Sequence, residues 1–414
     1  MTLAEAGRPA VIGPPPRIGL LDDALREALS GFLSGPRSLR RRLMGARSAS
    51  GTELAPVERA IAVYRHGDAP PARPLEEAAK AASAARLRGA GDRETAEAIA
   101  AGYRLLEAMA PDRAAVVNGD EMSFALPCID PAGYREPYLR PVRSLHEYAG
   151  RALAPFVAGL YVHGSLATLD FACDYSDFDT LMVVRSEVAT DADRLLALVT
   201  PFRRSMCWLF EFDPLQHHAH IVLTEFDLER YVDALFPLSA LDGARALGRD
   251  WAPLRVLRRS RPEVARWELE RVCAAFRGLA DSRFAPATPY DLKSFLSELM
   301  LLPSLYQQAH GRDCRKRDSF ARTAPEFSAE TWRIMEEASA VRAGWRYERR
   351  AHSAQGLAAG LAAPELARKL AANEASAVVR QAMRVVGPDL VPRAAALADA
   401  ILRRAAMESA EAVA

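Results

Sequence analysis

Apolar residues return at helical spacing through both ends of this chain and at strand spacing through a short middle stretch. The spacing predicts an amphipathic helix over "LLDDALREALSGFLSG", stopped at Gly35-Pro36. It predicts Ala-rich helices over 53–66, 74–88 and 92–109. Residues 1–19 read as a Pro/Gly-rich arm. Near residue 110 the texture changes, and "VVNGDEMSFALPCIDPAGYREPYLRPVRS" reads as loop. Then "SLHEYAGRALAPFVA" reads as helix, "GLYVHGS" as a strand ending in a glycine turn, and "SLATLDFA" as helix. "DTLMVVRSEV" reads as strand and "DADRLLALVTPFRRS" as a helix capped by Thr190 or Asp191. Two further strands are expected, "MCWLFEFD" and "HHAHIVLTEFD", around a turn at "PLQ". From "DLERYVDALF" onward nearly everything reads as helix, including one long helix from about 289 to 310 and helix through 354–414. The expected class is α+β, a small mixed sheet flanked by helical regions. The expected divisions are 1–140, 141–235 and 236–414.

Composition narrows the partners. The chain has 414 residues, half of them apolar, and a formal net charge of +1. That balance gives no global electrostatic case for a nucleic-acid or membrane binder. The basic connector "PRSLRRRLMGARSAS" reads as a solvated segment. The five cysteines, Cys128, Cys173, Cys207, Cys273 and Cys314, are widely spaced with no CxxC. They fit neither a disulfide framework nor a cysteine zinc site, and a reducing, cytoplasmic setting is expected. No apolar leader is read near Pro14-Pro15-Pro16, and no run of about 18 apolar residues suggests a membrane span.

The chemistry concentrates in "HGSLATLDFACDYSDFDTLMVV", residues 163–184. Alternation in an extended segment puts Asp177 and Asp179 on one side and Phe178 toward the core. Two carboxylates so close repel unless a cation lies between them. Mg²⁺ suits such a pair, since it takes one or two carboxylates and leaves positions for phosphate oxygens. Gly164 allows close backbone approach, and Ser165 opens a helix whose N–H groups and hydroxyl suit phosphate. Together these are parts of a phosphoryl-transfer site. A calcium loop fits poorly, because no glycine stands sixth from Asp174 and Arg185 stands twelfth. Neither GxGxxG nor GxxxxGK[ST] occurs.

Gly164-Ser165, eleven residues, then Asp177-Phe178-Asp179 and an apolar strand resembles the signature of the DNA-polymerase-beta-like nucleotidyltransferase superfamily. The resemblance is tight over about 25 residues and loose over about 100. It implies transfer of a nucleoside monophosphate from an NTP to an acceptor hydroxyl or phosphate. It implies Asp177 and Asp179 as ligands of Mg²⁺ or Mn²⁺, and Gly164 and Ser165 as phosphate holders. The acceptor would be a small molecule, a tRNA or a protein.

The superfamily's third carboxylate is not fixed by the pattern. Glu211, Asp213, Glu225 and Asp227 are candidates, with Glu211 and Asp213 sharing a face if 206–213 is a strand. Alternatively, if 217–223 is the strand, His218 or His220, which then share a face, occupies the place as a neutral base near pH 7. The cluster His217-His218-His220 reads first as part of the active site, then as a structural cluster, and last as an independent zinc site. Lys293, Arg315, Lys316 and Arg317 are within the reading as triphosphate contacts, or as merely solvated charges. The competing interpretation is a fold retained without activity, serving regulation or assembly.

Overall fold

The computed structural model describes residues 17–34, 92–108, 120–216, 218–229, 231–232, 236–248, 251–259, 262–347 and 376–411. In chain order these carry helices α1 (Arg17–Ser34) and α2 (Asp92–Ala108), strand β1 (Asp120–Phe124) and helix α3 (Leu139–Tyr148). Next come β2 (Val157–Val162), α4 (Gly164–Thr168), β3 (Thr180–Val184), α5 (Ala192–Phe212) and β4 (Ile221–Thr224). Three short strands follow: β5 (Tyr231–Val232), β6 (Arg245–Ala246) and β7 (Leu254–Arg259). The remainder is helical: α6 (Pro262–Asp281), α7 (Pro289–Leu299), α8 (Leu302–Ala309) and α9 (Lys316–Thr323). It ends with α10 (Ala329–Ala343), α11 (Ser376–Val386) and α12 (Leu390–Glu411). The described residues thus form a mixed α+β structure, with two small sheets and helical regions at both ends. No described helix is long and apolar enough to cross a membrane. The helices read over 53–66 and 74–88 lie outside the described residues.

The central sheet has the order β4-β3-β2-β6. β2 runs antiparallel to β3 with Val162 opposite Thr180, and β3 runs parallel to β4 with Leu181 opposite Ile221. A parallel pair needs a crossover, and α5 supplies it. All five residues of β3 are buried, because both faces of the sheet are covered. Met182 and Val184 pack with Val222 against α1, α2, α3 and α5. Leu181 and Val183 pack on the other face with Leu223, Phe236 and Val256. A third core lies among the C-terminal helices and takes in Tyr175 and Leu215 from the loops that flank the sheet. The three cores converge at the start of β3, where Phe178 belongs to the first, Leu181 to the second and Tyr175 to the third.

Polar contacts tie the outer helices down. Arg26 of α1 reaches Asp227 at 3.1 Å, and Asp227 itself caps the turn after β4 by accepting the Thr224 N–H at 2.6 Å. The Tyr306 hydroxyl of α8 donates to Glu408 of α12 at 2.9 Å, and His310 lies 2.8 Å from the same carboxylate.

Four expectations are corrected. "MCWLFEFD" is not a strand but the second half of α5, whose buried positions Phe202, Ser205, Met206, Leu209 and Phe212 keep helical spacing. Aromatic residues favour strands, but this continuous apolar face overrides that preference. Glu211 and Asp213 therefore share no strand face. The segment after Asp227 is not uniformly helical either. Leu254 and Val256 are buried on alternate positions of β7, which pairs antiparallel with β1. β1 in turn lies within the stretch read as loop, since its partner is too distant in sequence to be read locally. Finally, the helix expected from 289 to 310 breaks at Met300-Leu301 into α7 and α8. Pro303, in the first turn of α8, has no N–H to continue the ladder.

Candidate functional site

The register of β2 on β3 builds the site. His163 follows Val162, and its N–H donates to the Asp179 carbonyl at 3.2 Å, which extends the ladder past Thr180. The chain must then turn away from β3 at once. Gly164 does so with φ of +66°, a conformation that side chains with a Cβ adopt only at a cost. A Cβ there would also stand 3.1 Å from Asp179 Oδ2. Replacing Gly164 with Ala is therefore expected to cost about 1–2 kcal/mol in a urea melt. It should also displace the Asp179 carboxylate and weaken Mn²⁺ binding in a titration. Unchanged Mn²⁺ affinity in a folded variant would refute the second part.

The loop between Gly164 and Asp177 is held from outside. Tyr138 Oη accepts the Asp174 N–H at 2.9 Å, and the Tyr134 hydroxyl donates to the Leu166 carbonyl at 2.8 Å. Ser176 Oγ accepts the Ala172 N–H at 2.9 Å and lies 3.3 Å from Ser165 Oγ. Ser165 is thus linked to the residue that precedes Asp177.

Phe178 is fully buried and packs 5.1 Å from Phe212 between ring centroids. Its N–H donates to Gln216 Oε1 at 2.9 Å, and Gln216 Nε2 faces its carbonyl at 3.4 Å. The fully buried amide of Gln216 thus stands in for a neighbouring strand at a point where β4 has not yet begun. With Phe178 pinned on one side, Asp177 and Asp179 are presented on the other.

His218 completes the group. Its Nε2 lies 3.0 Å from Asp179 Oδ1 and 3.7 Å from Asp177 Oδ2. One ligand atom from each of the three side chains lies within 4.8 Å of the others. His218 Nδ1 is 2.9 Å from the Ala219 carbonyl, which can only accept, so Nδ1 carries the hydrogen. Nε2 then either bears a proton shared with Asp179 or offers a lone pair to a cation. An imidazole whose far nitrogen is fixed by a carbonyl is the usual arrangement of a metal-binding histidine. Burial opposes charge on His218, but the hydrogen bond to Asp179 and the charges of Asp177 and Asp179 outweigh it and raise its pKa. Burial likewise opposes charge on Asp179, yet His218 holds its carboxyl below the usual range. The side chains of Asp177, Asp179 and His218 all remain partly open to solvent, so a small ligand can reach them.

Asp213, at the end of α5, does not join this group directly. It is buried, accepts the Leu215 N–H at 3.0 Å, and pairs with Lys293 of α7. Lys293 is completely buried, and its Nζ also donates to Asp177 Oδ1 at 2.7 Å. Burial pushes Asp213 up to about 7, against the pull of Lys293 and with the help of Asp177. Burial pulls the other way on Lys293, but its two carboxylate partners raise it and it stays an ammonium ion.

The remaining candidates divide clearly. His220 sits in the core with its two nitrogens 2.7 Å from Thr180 Oγ1 and from Ser205 Oγ. It is bonded away from the acids, and it and His218 do not share a face, because β4 begins only at Ile221. His217 lies outside the described residues. Glu211 pairs with Arg140, Glu225 accepts the Ser186 N–H, and Asp227 caps Thr224. Arg315 and Arg317 lie 3.4 Å from Asp242 and Asp170 respectively. Lys316, at the first turn of α9, is close enough to feel both Asp179 and Asp177. Its residue surface is exposed, yet surrounding chain and Arg342 push its ammonium down to about 8.

His220 also gives a pH prediction. Burial lowers its pKa to about 3, far below the ordinary value of 6.5. The unfolded chain therefore binds a proton that the folded chain refuses, and stability falls as pH drops below 6.5. Between pH 7 and pH 5 this residue should cost about 2 kcal/mol, measured by urea denaturation in EDTA. In His220→Phe the pH slope should flatten by that amount. An unchanged slope would show that His220 is not the group responsible.

Gln216 and the roles of Lys293 were not visible as site features in the sequence. Gln216 lies two residues from His218, but nothing in "PLQHH" marks an amide that grips a backbone. Comparisons with protein-family models, with curated proteins and with solved structures find no match to this chain.

Proposed function

We propose that the chain is a metal-dependent nucleotidyltransferase acting on a small-molecule, tRNA or protein acceptor. The observation that carries this reading is the convergence of Asp177, Asp179 and His218 on one point beside the Gly164 turn. The donor set fits a divalent cation: two hard carboxylate oxygens, which suit Mg²⁺ and Mn²⁺, and one imidazole nitrogen. The aim of His218 Nε2 at both acids, 3.0 Å from Asp179 and 3.7 Å from Asp177, supports the same fit. When bound, the cation would supply charge neutralisation for a triphosphate.

The chain's own residues do the rest. Asp177, Asp179 and His218 hold the cation. The backbone at Gly164, the Ser165 hydroxyl and the Lys316 ammonium hold the phosphates. In the reaction an acceptor oxygen bonds to the α-phosphorus, the bond from that phosphorus to the bridging oxygen breaks, and pyrophosphate departs. The acceptor's proton passes to solvent water, and pyrophosphate carries away the electron pair of the broken bond. Asp213 and His220 take no direct part in this scheme. Asp213 acts on Asp177 through Lys293, and His220 orders the start of β3 and β4.

The test is label transfer. Purified protein is incubated with each α-³²P NTP, Mg²⁺ or Mn²⁺, and cell extract, beside Asp177→Ala/Asp179→Ala. Label is expected in one of the RNA, protein or small-molecule fractions, and only with the wild-type chain. No transfer in any fraction, with no divalent-cation binding, would leave a fold without activity.

A further inference from the structure

Lys293 occupies a position that bears directly on how many metal ions the site takes. It comes from α7, far in sequence from the acids, and its side chain is completely buried. Its ammonium hydrogen-bonds Asp177 Oδ1 at 2.7 Å and pairs with Asp213 on its other side. The Tyr175 ring covers it, with Nζ 5.6 Å from the ring centroid. The two oxygens of Asp177 are therefore divided. Oδ1 faces the ammonium, and Oδ2 faces His218 at 3.7 Å. This carboxylate bridges two cation positions, as one shared between two metal ions would.

We infer that Lys293 is a resident cation filling the inner of these positions, so that the site binds one divalent ion and not two. The inference rests on the nucleotidyltransferase reading and deepens it. Two features support it. The inner position has a protein cation in direct contact with both of its carboxylates. It is closed to solvent, since Lys293 and Asp213 are buried, whereas a hydrated divalent ion needs an entry path. Asp213 is then a positioning residue. It holds Lys293, which holds Asp177, and it touches no metal.

The experiment counts ions. The full chain is freed of metal with EDTA, dialysed, and titrated with Mn²⁺ alone, with free Mn²⁺ read by electron paramagnetic resonance. Wild type should bind one Mn²⁺, and Asp213→Asn should still bind one, with affinity within about 10-fold of wild type. Lys293→Ala, checked for folding by circular dichroism, should gain a second Mn²⁺ and a larger Mn²⁺-induced rise in melting temperature. Two Mn²⁺ in wild type would overturn the inference and leave the nucleotidyltransferase reading standing. So would a folded Lys293→Ala that binds only one, or loss of the single ion in Asp213→Asn. No Mn²⁺ bound by wild type would overturn the metal reading itself. If Lys293→Ala does not fold, the wild-type count and Asp213→Asn decide the matter.

Discussion

Asp179→Asn should fold and lose its metal. The side chain is near-isosteric and about a third exposed, so loss of the carboxylate charge should cost under about 1 kcal/mol of stability. Its consequence for binding is much larger. Asp179 faces both His218 Nε2 and the Gly164 turn, and so joins the two halves of the site. Removing even an outer partner of a metal ligand costs 10- to 100-fold in affinity, and removing a ligand should exceed about 100-fold. Mn²⁺ titration and label transfer should fall together while the urea midpoint barely moves. A folded Asp179→Asn that binds Mn²⁺ like wild type would place the cation elsewhere or nowhere.

Asp213→Ala should show the reverse pattern, a large loss of stability. Asp213 and Lys293 are both fully enclosed, and truncating one member of such a pair leaves the other charge without compensation. The expected cost is about 3–5 kcal/mol by urea denaturation. Asp177 still contacts Lys293, which favours the lower end of that range. The Leu215 N–H also loses its acceptor, so the turn after α5 should loosen. Asp213→Asn keeps an oxygen for that N–H and should lose less. A change below about 1 kcal/mol in Asp213→Ala would mean that water enters and solvates Lys293.

What the sequence made legible follows from the range of each signal. Asp177, Phe178 and Asp179 were readable because strand alternation is local, and the acids do face away from buried Phe178. Gly164 was readable because a glycine after an apolar strand marks a sharp turn, and it has the positive φ that demands one. The end of α5 was misread because its aromatic residues carry a strand preference that only packing on α3 and the sheet overrides. Separating His218 from His220 required knowing where β4 begins, which neighbouring β3 determines. Lys293 was legible as a cation but not as a buried one. Its 116-residue separation from Asp177 is closed by packing among the C-terminal helices, which no local pattern encodes.

The pairing of β2 with β3 has a consequence for tolerance to change. Gly164 and Asp179 sit next to each other because Val162 is opposite Thr180, not because of the number of residues between them. The segment from Leu169 to Asp174 is a detour whose two ends are already fixed. Lengthening it by a few glycines would change the count and leave the separation of turn and carboxylate as it is. What defines the site is a strand register, and the interval in the sequence is an adjustable length.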